Sequence, residues 1–322
     1  MKFVRFLLIS VAVGAAIFIA YGSWRTSAEL ANLLTVGGGT AQGSGWPPPE
    51  TAYDIGYVGD PKTAFGFEFE EVTLETELGG APAWLVMPDP AVQRADTWAI
   101  VVHGIGGRRE NGYRFMSIFR HAGIPTMLIA YRNDAEAPLS SEGLYAFGLT
   151  EWRDLEPAVE YALANGARSV VLLGESMGGG IVGQFMRQSP LREHVSALLF
   201  DAPALDFPAV LVDQMTRSQA PLPSVLSVTG MWFFGMRTGL DIADADVMDA
   251  VIGFDGPVFI SHGAGDRIVP VETSDRVVEA RTAPTEYLRT DADHILSFKS
   301  DPHRYRAAMG GFLATLPKPG GG

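Results

Sequence analysis

The first thirty residues carry an apolar pattern that differs from that of the rest of the chain. Residues 6–22 form an uncharged apolar run, which Lys2 and Arg5 precede. The run has about 17 residues, at the short end of the lengths that span a bilayer. It favours a membrane anchor over residues 1–30 with a cytoplasmic N-terminus, in which Tyr21 and Trp24 lie at the membrane interface as aromatic anchors.

The same segment permits a second interpretation, a cleaved signal peptide. A signal peptide needs small residues before its cleavage site, and residues 20–22 (Ala-Tyr-Gly) are a fair match. The apolar run is longer than the usual core of a signal peptide, which favours the anchor. Under either interpretation the rest of the chain is exported, as a membrane-anchored extracytoplasmic domain or as a secreted protein.

Composition divides the remaining chain into three parts. Residues 31–52 are rich in Gly, Pro, Ser and Thr, which cannot build a core, and we predict a flexible linker there. The folded domain is expected over residues 53–317, followed by a flexible tail at residues 318–322.

Two periodicities follow one another within the domain. Residues 67–88 alternate apolar and polar positions on both sides of Gly79-Gly80, which predicts an antiparallel hairpin. Short apolar runs then alternate with amphipathic segments such as residues 151–166, where we predict a helix that stops at Gly166. The predicted strands lie in residues 98–104, 125–132, 169–176, 195–203, 257–266 and 285–290.

This alternation indicates an α/β fold with a mostly parallel central sheet flanked by helices on both faces. Ligands of such sheets bind beyond the carboxyl ends of the strands. Candidate site residues must therefore follow a predicted strand.

Ser176 follows one of these strands and precedes a helix candidate, within the sequence Gly-Glu-Ser-Met-Gly. This strand–turn–helix context is the one that a G-x-S-x-G nucleophile elbow requires. Gly174 and Gly178 would leave room for the sharp turn, and the helix N-terminus favours developing negative charge. The alternative is a glycine-rich turn with a structural serine.

A serine hydroxyl needs a base to become a nucleophile, so a histidine must reach it. His294 lies in the loop after the last predicted strand and is the predicted base, with His303 of the terminal helix as the alternative. The remaining histidines are assigned to packing or to bracing loops, two before strands and two in His-Gly pairs at strand ends: His121, His194, His103 and His262.

The base in turn needs a carboxylate that holds its tautomer. Asp266 follows the penultimate strand and is the predicted partner, although a turn aspartate that bonds its own backbone is the alternative.

Acyl chemistry also needs two backbone N–H donors for an oxyanion. We predict Met177, directly after the serine, and Ile105 in the loop after the strand at residues 98–104.

Composition excludes several other classes of function. The net charge is −13 and no segment concentrates Lys and Arg, which argues against a nucleic-acid partner. The absence of cysteine removes thiolate metal sites and cysteine nucleophiles. Gly104 and Gly106 lack the third glycine of a dinucleotide-binding turn, since Arg109 occupies that position.

Residues 206–254 are too long for a plain connection between the last central strands and should form a cap. The aromatic and Met residues at 231–236 either line an acyl pocket, face a membrane, or pack the cap onto the sheet.

Residues 68–316 resemble the α/β-hydrolase superfamily. The resemblance rests on residues 103–107, 174–178, 261–270 and 291–294, which surround Gly104, Ser176, Asp266 and His294. The N-terminal segment, the Ala-Tyr-Arg after the fourth strand and residues 244–263 are similar to membrane-attached serine hydrolases of the BEM46 type. In this chain residues 131–134 (Tyr-Arg-Asn-Asp) replace the Arg-Gly-rich loop usual in that group.

The resemblance implies hydrolysis of carboxylic esters or thioesters of lipid-like molecules, without metal or cofactor. The small-molecule substrate would be cleaved by a triad of Ser176, His294 and Asp266. Two alternatives stay open: a serine peptidase or amidase of the same fold, and a non-catalytic exported binding protein on the same scaffold.

Overall fold

The computed structural model describes residues 2–37, 48–93 and 95–316. Residues 38–47 of the predicted linker and the predicted tail at residues 318–322 lie outside the described residues. Eight strands form one sheet in the order β1-β2-β4-β3-β5-β6-β7-β8. The strands are β1 Phe69–Thr76, β2 Gly79–Val86, β3 Thr97–Val102, β4 Thr126–Ile129, β5 Ser169–Glu175, β6 Val195–Asp201, β7 Val258–Gly263 and β8 Thr285–Thr290.

The sheet is antiparallel at one edge and parallel elsewhere. β1 and β2 form the hairpin, and β2 pairs antiparallel with β4. From β4 to β8 every neighbouring pair is parallel. The predictions of a mostly parallel sheet and an opening antiparallel hairpin are therefore confirmed.

Helices cover both faces of the sheet. They are α1 Lys2–Leu34, α2 Pro61–Phe65, α3 Tyr113–His121, α4 Trp152–Ala164, α5 Met177–Gln188, α6 Phe207–Arg217, α7 Pro223–Thr238, α8 Met248–Ile252, α9 Glu272–Ala280, α10 Ser297–Ser300 and α11 Pro302–Thr315. The predicted helix at residues 151–166 corresponds to α4, which ends just before Gly166.

Alternate residues of the central strands enter two separate cores, because side chains of a strand point to opposite faces. Ile100 and Leu172 pack with α4 and α5 in one core. Val101 and Leu173 pack with α3 and α11 in the other. Burial on both faces explains why these strands read as continuous apolar runs in the sequence.

The N-terminal helix extends beyond the segment predicted from the sequence. α1 continues to Leu34, and Leu30 and Leu34 are 2% and 0% exposed in the first core. Thr35 then forms a β-bridge with Leu144. The predicted boundary at residue 30 is therefore corrected: residues 31–36 are held by packing contacts that their composition does not reveal.

The segment predicted as a cap, residues 206–254, is a helical insertion between β6 and β7 that contains α6, α7 and α8. α7 packs along α1, which is distant in sequence. Phe234 is fully buried in the first core, whereas Trp232 is 61% exposed. Of the aromatic residues of α7, Phe234 therefore packs the insertion onto the core, whereas Trp232 faces outward.

Candidate active site

Ser176 lies at the turn between β5 and α5 with an unusual backbone conformation. Its φ of 51° and ψ of −119° are outside the regions that a serine normally adopts. Its N–H donates to Asp201 O at 3.0 Å, and its own carbonyl accepts from Ala204 N at 2.9 Å. These bonds tie the strained turn to the neighbouring strand and its following loop.

The predicted elbow glycines occupy positions that no side chain fits. A Cβ atom at Gly178 would lie 2.2 Å from Val102 O, and one at Gly174 would lie 2.5 Å from Gly178 O. Both obstacles are backbone atoms, which cannot rotate away. The absence of side chains at these two positions lets the turn close.

The structure brings Ser176, His294 and Asp266 together at the carboxyl edge of the sheet. His294 Nε2 lies 2.9 Å from Ser176 Oγ, and His294 Nδ1 lies 2.7 Å from Asp266 Oδ2. Because a carboxylate only accepts, Nδ1 carries the proton and Nε2 is left to accept from the serine hydroxyl. A continuous hydrogen-bonded chain therefore joins the three side chains.

Asp266 is held as a carboxylate by four donors. Its Oδ1 accepts from the N–H groups of Ile268 and Val269, each at 2.8 Å. Burial alone would raise the pKa of Asp266, but hydrogen bonds from His262 and His294 outweigh burial and hold that pKa well below the usual range. The carboxylate stays ionised beside the histidine.

The contact of His262 with Asp266 was not predicted from the sequence. His262 Nε2 lies 3.1 Å from Asp266 Oδ2, and its Nδ1 lies 2.7 Å from Ser274 Oγ. The ring is fully buried. His262 braces the loop as predicted, but it does so by contacting the carboxylate that orients His294. His262 and Asp266 are four residues apart at the end of β7, and this spacing in the sequence does not indicate that their side chains meet.

The loop after β3 passes close to the serine hydroxyl. A Cβ atom at Gly104 would lie 3.5 Å from Ser176 Oγ, so this loop and Ser176 flank the same space. Met177 begins α5, where the first N–H groups of a helix have no intrahelical acceptor. The predicted donors Ile105 and Met177 thus belong to the two segments that meet at Ser176.

The ring of His103 contacts the loop after β3. Its Nδ1 lies 2.9 Å from Gly104 O, its Nε2 lies 3.0 Å from Asp134 Oδ2, and Tyr131 stacks on the ring. Burial disfavours the charged ring, but Asp134 and these hydrogen bonds outweigh burial and raise the pKa of His103. The segment at residues 131–134 supplies both Tyr131 and Asp134.

A buried charged cluster lies under the elbow. Arg114 pairs with Glu175, the residue before the serine, and its Nη2 lies 3.2 Å from Asp201 Oδ2. Tyr305 donates to Asp201 at 3.3 Å. Burial raises the pKa of Asp201, while Arg114 opposes that rise. The cluster anchors β5, β6, α3 and α11 directly behind Ser176.

The other histidines lie away from the serine. His121 ends α3 and lines a cavity of about 640 Å³ at the amino edge of the sheet, with Thr97 and Ile124. His194 precedes β6 at the same edge. His303 is exposed on α11. None of the three forms a hydrogen bond with Ser176, Asp266 or His294 in the described part of the chain.

The assembled site is enclosed. Ser176 is 8% exposed, and Gln214 of α6 donates to Arg267 O at 2.7 Å, next to Asp266. Through this bond of α6, the helical insertion contacts the loop that carries Asp266. Within residues 2–37, 48–93 and 95–316, no cluster of three His, Asp or Glu residues could hold a metal ion.

No family model matches the chain. It is 22% identical over 221 residues to the uncharacterized protein YqkD of Bacillus subtilis, covering 67% of this chain and 71% of that protein. It is 25% identical over 235 residues to the uncharacterized protein YfhR of Salmonella typhi, covering 69% of this chain and 73% of that protein.

Solved structures share its fold. The esterase Pf2001 of Pyrococcus furiosus superposes with a TM-score of 0.62 at 18% identity, over 84% of this chain and 99% of that one. XC6422 of Xanthomonas campestris, described as an α/β serine hydrolase without lid, gives a TM-score of 0.54 at 19% identity, over 78% and 96%. The chain therefore has the α/β-hydrolase fold predicted from its sequence.

Proposed function

We propose that the protein is a serine hydrolase that cleaves carboxylic ester or thioester bonds of lipid-like acyl substrates. The observation that carries the proposal is the hydrogen-bonded chain of three side chains. Ser176 Oγ lies 2.9 Å from His294 Nε2, and His294 Nδ1 lies 2.7 Å from Asp266 Oδ2. The fold similarity to esterases supports the same class of reaction.

In the proposed reaction, Ser176 Oγ attacks the ester carbonyl while His294 Nε2 takes its proton. Asp266 stabilises the imidazolium that forms. The N–H groups of Met177 and Ile105 stabilise the oxyanion. Collapse of the tetrahedral intermediate expels the alcohol or thiol, which receives the proton from His294. Water activated by His294 then attacks the acyl-enzyme and releases the acid and the free serine.

The test is labelling with a fluorophosphonate probe together with hydrolysis of short aromatic esters. We expect the probe to modify Ser176, and Ser176→Ala to lower kcat by at least about a thousandfold, since removal of a triad member leaves only residual catalysis. Thr35→Ala, at an exposed position directly after α1, is the control for handling. Unchanged turnover in Ser176→Ala would refute the proposal.

A parallel panel of esters and amides with the same acyl group distinguishes the peptidase alternative, which predicts comparable turnover of the amides. Absence of both labelling and turnover favours a binding protein that uses the fold without catalysis.

We further propose that α1 anchors the protein in a membrane with the catalytic domain on the extracytoplasmic side, as in the membrane-attached BEM46 type. An 18-residue window of α1 has a mean hydropathy of 2.4, and none of that window is buried against the domain. The full chain should resist extraction from membranes by alkaline wash. Release into the wash contradicts the anchor and favours the cleaved signal peptide.

A further inference from the structure

α7 and Leu222, the residue directly before it, present an apolar stripe to the outside of the molecule. Leu222, Val225, Val228, Trp232 and Met236 are 52%, 42%, 62%, 61% and 57% exposed. Their spacing of three or four residues places them on one side of the helix. The opposite side is buried and includes Leu226, Gly230 and Phe234. The stripe is continuous and carries no charged residue.

The stripe lies beside the apolar N-terminal helix. Ser23 Oγ and Thr229 Oγ1 are 2.6 Å apart, and Arg237 Nη1 donates to Ser27 Oγ at 3.2 Å. A Cβ atom at Gly230 would lie 2.5 Å from Thr26 Cγ2, so the small residue permits close approach of the two helices.

The order of the contacts gives the relative direction of the two helices. Gly22 faces Leu226, Ser23 faces Thr229, and Thr26 faces Gly230. Contacts that advance together along both chains belong to parallel helices. The N-terminal end of α7 therefore lies toward the apolar run at residues 6–22, at the level of Tyr21 and Trp24.

We propose that the apolar stripe of α7 is a membrane-binding surface that inserts into the interface of the same bilayer that holds α1. Leu222, Val225 and Val228 lie nearest the anchor, and Trp232 lies at the polar side of the interface, where tryptophan is favoured. Binding of such a surface scales with its buried apolar area. Because α6 and α7 belong to one insertion, the bilayer positions the insertion that contacts the Asp266 loop.

The inference rests on the proposed membrane anchor α1, and it deepens the proposed function by naming the source of the substrate: acyl molecules would reach the buried serine from the membrane. The position of the stripe itself can be measured without any hydrolysis. Its failure and the failure of the hydrolase proposal are therefore distinguishable.

The chain has no cysteine, so single-cysteine variants can carry a polarity-sensitive fluorophore. The full chain with Val225→Cys or Val228→Cys is labelled and reconstituted in phosphatidylcholine–phosphatidylglycerol vesicles. Val58→Cys is the matched control, because Val58 is 67% exposed and its neighbour Tyr57 packs on the opposite face of the sheet.

We expect blue-shifted emission at Val225 and Val228, quenching by lipids spin-labelled near the headgroup, and protection from aqueous iodide. The Val58 position should show none of these effects. Emission at Val225 and Val228 equal to that of the control overturns the proposal. Protection that rises with protein concentration and is not quenched by spin-labelled lipid also overturns it, because a second copy of the chain would then cover the stripe.

The consequence for the substrate is tested with Val225→Asp. We expect about tenfold slower hydrolysis of an ester dissolved in vesicles and unchanged hydrolysis of a soluble short ester, because a charge opposes burial of the stripe. Equal loss on both substrates shows damage to the fold and contradicts a role in membrane delivery. If neither substrate is cleaved by the unmodified chain, the hydrolase proposal fails while the fluorescence result stands.

Discussion

Two buried histidines, His103 in contact with the loop after β3 and His262 in contact with Asp266, differ in the groups that face their ring nitrogens. In His103 both nitrogens face acceptors, Gly104 O and Asp134 Oδ2, so only the doubly protonated ring satisfies both contacts. In His262 one nitrogen faces the hydroxyl of Ser274, which can donate to it. His103 is therefore suited to carry a positive charge beneath the predicted oxyanion loop.

This arrangement predicts a pH dependence of stability. Because the folded pKa of His103 is raised, the protonated ring contributes stability that is fully present below the pKa of the unfolded state, about 6.5, and is lost as pH rises through the folded pKa. The melting temperature should therefore fall as pH rises above neutral, and His103→Gln should remove most of that decline.

The measurement is the melting temperature of both proteins by circular dichroism between about pH 6 and pH 9, a range that brackets the ordinary histidine pKa. The exposed His303 serves for comparison, and His303→Gln should keep the slope of the parent protein. An identical slope in the parent and in His103→Gln contradicts a charged ring at His103.

The strand–turn–helix element at β5 and α5 depends on the absence of side chains at close backbone contacts. A Cβ atom at Gly178 would meet Val102 O, whereas a Cβ atom at Gly311 of α11 would meet no atom within 4 Å. Both glycines lie in helices, so helix propensity favours alanine at each by about 1 kcal/mol. Only the surroundings distinguish the two positions.

We therefore expect opposite effects from the same substitution. Gly178→Ala should lower the free energy of unfolding by about 3 kcal/mol or more and abolish probe labelling, because the elbow cannot keep its geometry. Gly311→Ala should raise the free energy of unfolding by up to about 1 kcal/mol. Urea unfolding measures both, and a stable Gly178→Ala protein with an intact elbow contradicts the close approach seen in the structure.

At the scale of the whole molecule, α1 has two different parts. Residues 6–22 are apolar and largely exposed, while Ser23, Ser27, Leu30 and Leu34 are buried against the domain. The first part has the properties of a membrane segment, and the second belongs to the folded body. The contacts of α1 with α7, and of Thr35 with Leu144, therefore join the proposed anchor to the folded core.

Two truncations separate these parts. Removal of residues 1–22 should leave a folded domain with unchanged labelling of Ser176, because no buried residue is lost from the described part of that segment. Removal of residues 1–36 should lower the free energy of unfolding by about 4 kcal/mol, the order of magnitude for two buried leucines. Equal stability of the two truncated proteins, measured by urea unfolding, contradicts the packing of Leu30 and Leu34.

The sequence by itself determined the succession of strands and helices along the chain, since each depends on local periodicity. It also placed Ser176, Asp266 and His294 at one edge, because parallel strands deliver the residues after their carboxyl ends to the same side. The elbow glycines were predictable because the tight turn is local.

Only the tertiary structure decided the contacts between segments that are distant in sequence. The donation of His262 to Asp266, the pairing of His103 with Asp134, and the packing of α1 on α7 depend on side-chain rotamers and on the docking of whole elements. None of these contacts follows from local periodicity. The end of α1 at Leu34 has the same origin, because burial in the core extends a helix into residues whose composition resembles a linker.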